Sequence, residues 1–263
     1  MSYRLLADDE PAPVDIIRKD SESRFFLVCE HAGKLMPRRL DHLGLPEHER
    51  ERHIAWDIGA GGMSRTMAAR LDATLVSQRY SRLVIDCNRS PAVASAMPEL
   101  SESTTIPGNL AISPAEREAR ITEIFTPFHG TVGALLDERA AAGRETVLVT
   151  LHSFTPVFKG VSRPWQVGIL YNRDPRLGQA LLALLEHESD LCVGDNQPYR
   201  VDDLSDYTIP VHGEQRGIVH VEIEVRQDLL ADEAGQRHWG ERLAGWIPRA
   251  YRRMNAALAG QLS

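Results

Sequence analysis

The sequence lacks three features that mark common classes of protein. No hydrophobic run approaches the length needed to cross a bilayer, and the N-terminus turns acidic before the apolar core of a signal peptide could form. The 30 basic and 37 acidic residues give a net charge of -7, so no overall positive field would attract nucleic acid. We therefore expect a cytoplasmic protein that has neither a membrane nor a nucleic-acid partner.

Cysteine is also scarce. Cys29, Cys87 and Cys192 are odd in number and widely spaced, unlike a disulfide framework or paired zinc-binding CxxC knuckles, and their apolar surroundings predict buried free thiols.

Three common sequence motifs are also missing: a complete P-loop, a GxGxxG fingerprint after a strand and a GxSxG nucleophile elbow. These absences disfavour P-loop nucleotide hydrolases, dinucleotide-dependent enzymes and serine α/β-hydrolases.

The 263 residues have the composition of a folded domain, with 43% hydrophobic and 25% charged residues and no Pro/Gly/Ser-rich linker in the middle. We expect a single domain over residues 1–263. Apolar runs of strand length alternate with amphipathic stretches, which predicts a single-domain α/β fold with a mixed, mostly parallel sheet and helices on both faces. The predicted strands are 24–29, 74–77, 83–87, 146–151, 167–171 and 218–225, and the predicted helices are 63–71, 113–143, 177–187 and 233–258.

The last predicted strand carries charge on one of its faces. Alternation places the polar residues His220, Glu222, Glu224 and Arg226 on one side and only aliphatic residues on the other. Acidic side chains in a central strand are costly to desolvate unless a metal ion, an arginine or a water-filled cleft compensates them. A solvated face on an edge strand is the simpler alternative, and the pattern alone leaves both interpretations open.

Histidines follow or end two other predicted strands, and strand ends meet at one edge of a parallel sheet. Neutral imidazoles such as His31 and His152 are common metal ligands and general bases, although each alone is more often structural. With a carboxylate from Glu30, Asp57 or Glu224, they could form a zinc site of two histidines and one acid.

A third strand end carries Asn88 and Arg89. The guanidinium could bind a substrate carboxylate with two hydrogen bonds and the amide could add a third, but the same residues also fit an ordinary turn. Arg82 and Arg216 are further candidates for anion binding, for which we expect ordinary surface or ion-pair roles.

Four segments together resemble the N-formylglutamate amidohydrolase family, and the resemblance covers most of the chain. They are CEHAG at 29–33, SRLVIDCNRSP at 81–91, VTLHSFTP at 149–156 and GILYNRD at 168–174. The chain also looks like the broader zinc carboxypeptidase and aspartoacylase group, which implies a zinc-exopeptidase or phosphorylase-hydrolase-like fold and one zinc ion per chain. The implied reaction is hydrolysis of an N-acyl amino acid, a small-molecule substrate, most simply of N-formyl-L-glutamate to formate and L-glutamate.

The resemblance also implies roles for individual residues. Lys34 stands where the carboxypeptidase-type HxxE motif has its glutamate, so Asp57 is the preferred second ligand and Glu30 the alternative. Glu222 is the alternative to Glu224 as general base, because the two share a strand face. The implied set is His31, Asp57 and His152 as metal ligands, Glu224 as base, Arg89 as a catalytic and substrate-binding residue, and Asn88 and His212 as substrate-binding residues.

Two other classes of function stay open from the sequence. Cys29 beside His31 could be the nucleophile of a metal-free hydrolase, although a cysteine among bulky apolar residues is more often inert. The fold could instead serve as a non-catalytic module that binds a carboxylated ligand, or as a hydrolase of another N-acyl amino acid or small peptide. The sequence leaves the oligomeric state open.

Overall fold

A seven-stranded sheet forms the centre of the computed structural model, which describes residues 3–260. The strands in chain order are β1 (Val14–Ile17), β2 (Phe25–Cys29), β3 (Thr74–Gln78), β4 (Leu100–Ser101), β5 (Thr104–Thr105), β6 (Val147–Phe154), β7 (Val157–Phe158), β8 (Val161–Ser162), β9 (Val167–Leu170), β10 (Val193–Asp195) and β11 (Val219–Arg226). Across the sheet the order is β1-β3-β2-β6-β11-β9-β10, and β4–β5 and β7–β8 are separate hairpins. Strands β3, β2, β6 and β11 are parallel, while β1 and the β9–β10 pair run the other way. The predicted mixed, mostly parallel sheet is confirmed.

Helices cover both faces of the sheet. They are α1 (Glu47–Arg50), α2 (Ala60–Leu71), α3 (Pro114–Arg120), α4 (Thr126–Ala141), α5 (Arg176–Leu185) and α6 (Glu233–Leu258), with π-helical segments at Ile121–Phe125 and Ile209–Glu214. Short 3₁₀ segments lie at Arg38–Gly44, Ala94–Ala96, Pro107–Asn109 and Gln227–Leu230. Helices α2, α5 and α6 pack on one face of the sheet, whereas α3 and α4 pack on the other. The single helix predicted over 113–143 is thus two α-helices joined by a π-helical segment, and its cap is confirmed by a 3.2 Å bond from Glu116 N–H to Ser113 Oγ.

The pleat of the central strands sends alternate side chains to the two layers. Leu27, Val149 and Ile223 enter the layer of α2, α5 and α6, whereas Phe26 and Leu148 enter the layer of α4. All five side chains are fully buried, and each such burial contributes about 1.5–3 kcal/mol. The near-continuous apolar runs of these strands are explained by this burial on both faces.

One predicted strand does not form. Residues 83–87 are buried but form turns and irregular backbone, because side chains and turn or loop carbonyls, rather than a neighbouring strand, satisfy their backbone groups. Asn109 Nδ2 donates to Leu83 O at 2.9 Å and the buried Arg120 donates to Val84 O at 3.0 Å. Apolar composition correctly indicated burial here but could not reveal the long-range side-chain partners.

Smaller differences from the sequence predictions concern the ends of the chain's elements. Strand β1 falls in a polar segment where we predicted no strand, and α2 begins three residues earlier than predicted, at Ala60.

Cys29 and Cys87 are buried as expected, but Cys192 is exposed, directly before β10. No helix within residues 3–260 combines the length and apolar character that a membrane span requires.

The charged strand β11 lies between β6 and β9, well inside the sheet. Its residues from His220 to Val225 are all buried, so the alternative of an edge strand with a solvated face is wrong. The side chains of Glu222 and Glu224 face the same side of the sheet as α4, and the groups around them must compensate for the cost of their desolvation.

The turn that leads into α2 requires a glycine, and this requirement can be tested by substitution. Gly59 has a φ of +77°, and a Cβ there would lie 2.4 Å from the Cβ and the carbonyl oxygen of Leu230. We expect Gly59→Ala to lower the free energy of unfolding by about 1–3 kcal/mol, through left-handed strain and overpacking. Urea denaturation would measure the change.

Gly130→Ala is the matched control, because Gly130 lies inside α4 and a Cβ there meets nothing within 4 Å. This variant should gain about 0.5–1 kcal/mol of stability. Equal effects of the two substitutions would contradict the role of the Gly59 turn.

Candidate active site

A cleft of about 330 Å³ opens at the carboxyl ends of β2, β6 and β11. Strand ends in a parallel sheet converge at this edge, as the sequence analysis expected. Most of the residues singled out in the sequence line the cleft. The lining includes His31, Asp57, Arg82, Asp86, Asn88, Arg89, His152, Glu222 and Glu224.

The strand register brings the charged side chains of β6 and β11 together. Glu224 pairs with His152, and Glu222 pairs with Thr150 one step further into the sheet. Residues two apart on a strand share a face, so both glutamates stand on the same side as His152. Glu30 follows β2 directly and reaches the ring of His152, with its Oε2 3.1 Å from Nε2.

The side chains of His31, Asp57 and His152 converge on one point. Asp57 Oδ2 lies 3.3 Å from His31 Nδ1 and 3.0 Å from His152 Nδ1. One ligand atom from each of the three residues lies within 4.8 Å of the other two, and all three side chains are buried. Two imidazole nitrogens and one carboxylate oxygen are a donor set that suits zinc.

A carboxylate lies near the far nitrogen of each imidazole, and the contact of Asp86 with His31 has hydrogen-bond geometry, whereas that of Glu30 with His152 is an ion-pair approach only. His31 Nε2 lies 2.7 Å from Asp86 Oδ1, while Glu30 faces His152 Nε2. Histidine ligands of metals characteristically have such a partner on the second nitrogen, which fixes the tautomer and the ring orientation. Glu30 therefore contacts the side of His152 that faces away from Asp57.

The electrostatics of the cluster favour positive charge at the two imidazoles. Burial and Arg82 oppose the charged form of His31, but Asp86 and Asp57 together raise its pKa above the usual value. Burial likewise opposes the charged form of His152, yet nearby glutamates raise its pKa well above the usual range. The chemistry of the donors, their convergence and this excess of negative charge all fit a bound metal cation.

Arg82 stabilises the acidic side of this cluster. Its NH1 donates to Asp57 Oδ1 at 3.2 Å and its NH2 donates to Asp86 Oδ2 at 2.7 Å. Burial alone would raise the pKa of Asp86, but the Arg82 and His31 charges hold it well below the usual value. The expected ion-pair role of Arg82 is confirmed, but its partners lie in the cleft rather than at the surface. Arg216 forms an ion pair with Asp137 outside the cleft.

The side-chain amide of Asn88 is hydrogen-bonded to the neighbouring loop at 206–208. Its Nδ2 donates to Asp206 Oδ1, and its Oδ1 accepts from the backbone N–H groups of Tyr207 and Thr208, all at 3.1 Å. Arg89 also lines the cleft, where it makes one 3.3 Å bond to Ser205 O. Of the two residues, Arg89 therefore has more donor capacity left for a ligand.

The two glutamates of β11 differ in their partners. Glu222 Oε2 accepts a 3.1 Å bond from Thr150 Oγ1, whereas Glu224 Oε2 is buried without a hydrogen-bond partner in residues 3–260. Burial raises the pKa of Glu224 to about 8, with a further rise from the Asp57 charge. Burial and Asp206 raise the pKa of Glu222 well above its usual value.

Some residues named in the sequence analysis do not join the site. His212 lies in the π-helical segment Ile209–Glu214, stacked on His129, and is not part of the cleft lining, so its position does not support substrate binding. Lys34 pairs with Glu51 outside the cleft. Cys29 packs in the layer of α2, and burial raises its pKa to about 12, which gives no support to a cysteine nucleophile.

Three residues to which we assigned no role from the sequence also line the cleft: Asp86, Asp206 and Arg200. Asp86 was detectable, since it lies within the segment 81–91 that carries the family resemblance. Asp206 and Arg200 come from a loop with no motif, so only the fold reveals that they reach the cleft.

Comparisons with known proteins agree with this geometry. A family model described as N-formylglutamate amidohydrolase matches residues 23–231. A gene product of Agrobacterium tumefaciens of known crystal structure is 40% identical, with a TM-score of 0.93 over 96% of this chain and 100% of that one. An N-formylglutamate amidohydrolase from Ralstonia eutropha is 17% identical, with a TM-score of 0.63 over 91% of this chain and 99% of that one, which shows a shared fold. A comparison with curated proteins gave no significant match. The chain belongs to the N-formylglutamate amidohydrolase family.

Proposed function

We propose that this protein is a zinc-dependent amidohydrolase that converts N-formyl-L-glutamate to formate and L-glutamate. The observation that carries the proposal is the convergence of His31, Asp57 and His152 in a cleft that also contains Glu224 and Arg89. The family supports hydrolysis of the amide, and the cleft supplies groups for each chemical need of that reaction.

The metal would be held by the Nδ1 atoms of His31 and His152 and by a carboxylate oxygen of Asp57. When bound, zinc lowers the pKa of a water molecule and polarises the amide carbonyl. Asp86 keeps the imidazole of His31 oriented from behind, and Glu30 lies behind that of His152. Burial opposes the ionisation of Asp57, but the imidazoles and Arg82 together lower its pKa, with His31 as the largest contributor to the lowering.

Glu224 is the proposed general base. Its carboxylate takes a proton from the attacking water and passes it to the amide nitrogen as the C–N bond breaks. A base that works at neutral pH needs a pKa near 7, and burial moves the pKa of Glu224 in that direction. Glu222 is less suited to this role, because one of its oxygens already accepts the Thr150 hydroxyl.

The arginines of the cleft suit a substrate with two carboxylates. Arg82 and Arg89 each lie within 4.0 Å of a carboxylate of the chain, whereas Arg200 has no such partner in residues 3–260. Arg89 would bind the α-carboxylate of the amino acid, and Arg200 would bind the side-chain carboxylate of glutamate.

The role of the base is tested by Glu224→Gln. The amide keeps the size of the side chain but cannot take up the proton, so we expect turnover to fall about 10²–10⁴-fold. Zinc content measured by elemental analysis should stay at one ion per chain, because Glu224 is not a ligand in this scheme. Steady-state formate release gives the rate.

Glu222→Gln is the matched comparison, since it makes the same change on the same strand face. We expect a smaller loss of turnover from it. A fully active Glu224→Gln enzyme would overturn the assignment, and a much larger loss in Glu222→Gln would transfer the role to Glu222.

Substrate selectivity is tested by Arg200→Met. A lost charge-assisted bond should lower kcat/KM for N-formylglutamate about 10–100-fold and leave the low rate with N-formylglutamine nearly unchanged. Arg252→Met is the control, because Arg252 is exposed on α6, away from the cleft. Equal losses on both substrates would refute the proposed contact with the side-chain carboxylate.

A further inference from the structure

Two buried histidines outside the cleft form a hydrogen-bonded pair. His129 lies in α4 and His212 in the π-helical segment Ile209–Glu214, and their side chains are almost fully enclosed. The rings are nearly parallel, at 13°, and His129 Nδ1 is 3.1 Å from His212 Nε2. His129 Nε2 lies 2.6 Å from the backbone oxygen of Cys87.

The contacts fix where the protons lie. A carbonyl oxygen can only accept, so His129 Nε2 carries the hydrogen that is donated to Cys87 O. Burial lowers the pKa of His129 to about 4 and that of His212 to about 3, so both rings are neutral and each has one N–H. His129 Nδ1 is then an acceptor, and His212 Nε2 donates to it. A directed chain therefore runs from His212 through His129 to Cys87 O.

The carbonyl at the end of this chain belongs to a turn that carries three residues of the cleft lining. Cys87 lies between Asp86, which faces His31, and Asn88, which is followed by Arg89. The segment has no strand neighbour, so the sheet does not fix its peptide planes. Within the turn, Asn88 N–H donates to Asp86 Oδ1 at 2.9 Å and Arg89 N–H donates to Asp86 O at 3.2 Å.

Aromatic side chains hold the His129 ring in position. The ring centroids of Phe125 and Tyr207 each lie 4.4 Å from that of His129. Tyr207 also donates its backbone N–H to Asn88 Oδ1, which connects the aromatic packing to the same turn. Phe125 ends the π-helical segment before α4, and such segments are frequent at functional sites.

We propose that His129, held in one tautomer by Cys87 O and supported by the hydrogen bond from His212, is a positioning residue for the turn from Asp86 to Arg89. The bond to Cys87 O orients the turn so that Arg89 faces the substrate carboxylate, a step that rests on the proposed function. Neither histidine touches the substrate. The segment containing His212, which the sequence suggested for direct binding, acts through the turn instead.

Substitution of His129 tests the proposal through KM. His129→Phe keeps an aromatic ring but removes the donor, and we expect KM for N-formylglutamate to rise about tenfold, as for one lost hydrogen bond, with kcat changed less than threefold. His129→Gln places an amide N–H near the lost Nε2 and should bring KM back to within about threefold of the wild-type value. An unchanged KM in His129→Phe, or no rescue by glutamine, would overturn the proposal.

Phe128→Leu controls for a general loosening of the layer around α4. Phe128 is fully buried next to His129 but bonds nothing in the turn. Its substitution should lower the Tm and leave KM unchanged. A KM rise equal to that of His129→Phe would mean that packing alone positions the turn, against the proposal.

A spectroscopic measurement is independent of turnover. Long-range ¹H–¹⁵N spectra of the imidazoles at pH 7 should show the Nε2–H tautomer in both His129 and His212. In His212→Phe, His129 should keep this tautomer because Cys87 O still accepts, while its Nδ1 resonance should shift on loss of the His212 donor. An Nδ1–H tautomer in His129 would overturn the directed chain. If the wild-type protein hydrolyses no N-acyl amino acid, the proposed function fails. Calorimetric binding of glutamate then tests the positioning role by itself. Weaker binding to His129→Phe than to the wild type would support that role, and equal binding would refute it.

Discussion

The carboxylate of Asp57 is the contact on which the site depends. Its Oδ2 meets both imidazole Nδ1 atoms, and its Oδ1 accepts from Arg82. The backbone of Asp57 is held by a 3.0 Å bond from its N–H to His31 O, and Gly59 then turns the chain sharply into α2. The parallel strands β2 and β6 bring the two histidines to the same edge of the sheet, and the turn before α2 brings the acid between them.

Burial of so many charges is costly unless each charge has a partner. Asp86 shows how the partners are shared, because it faces His31 with one oxygen and Arg82 with the other. Glu30 is fully enclosed and compensated chiefly by His152. The residues of the chain alone would compensate poorly for the desolvation of Glu222 and Glu224 on β11. A bound metal cation therefore fits the cleft better than a purely structural network of ion pairs does. The same desolvation raises the pKa of Glu224, as the proposed role of general base requires.

The sequence predicted the sheet and most helices because the responsible patterns are local, whereas the set of three converging residues was implied by the family resemblance. The alternation of polar and aliphatic residues along 218–225 can be read from the neighbouring residues alone. The choice of Asp57 over Glu30 as the second ligand followed from the family resemblance. The strand predicted at 83–87 was wrong because Asn109 and Arg120 satisfy its backbone from distant parts of the chain. The partners of Arg82 and the His129–His212 pair were not predicted for the same reason. These contacts are set by the tertiary fold, and no spacing in the sequence records them.

The most direct test of this account is a crystal structure of the zinc-loaded protein with anomalous data collected at the zinc edge. We expect one peak bounded by His31 Nδ1, His152 Nδ1 and an Asp57 carboxylate oxygen, with zinc–nitrogen distances of about 2.0–2.1 Å. A peak on the opposite side of His152, between its Nε2 and the carboxylates of Glu30 and Glu222, would contradict the ligand set. The absence of any peak in the cleft would contradict the metal-dependent mechanism itself.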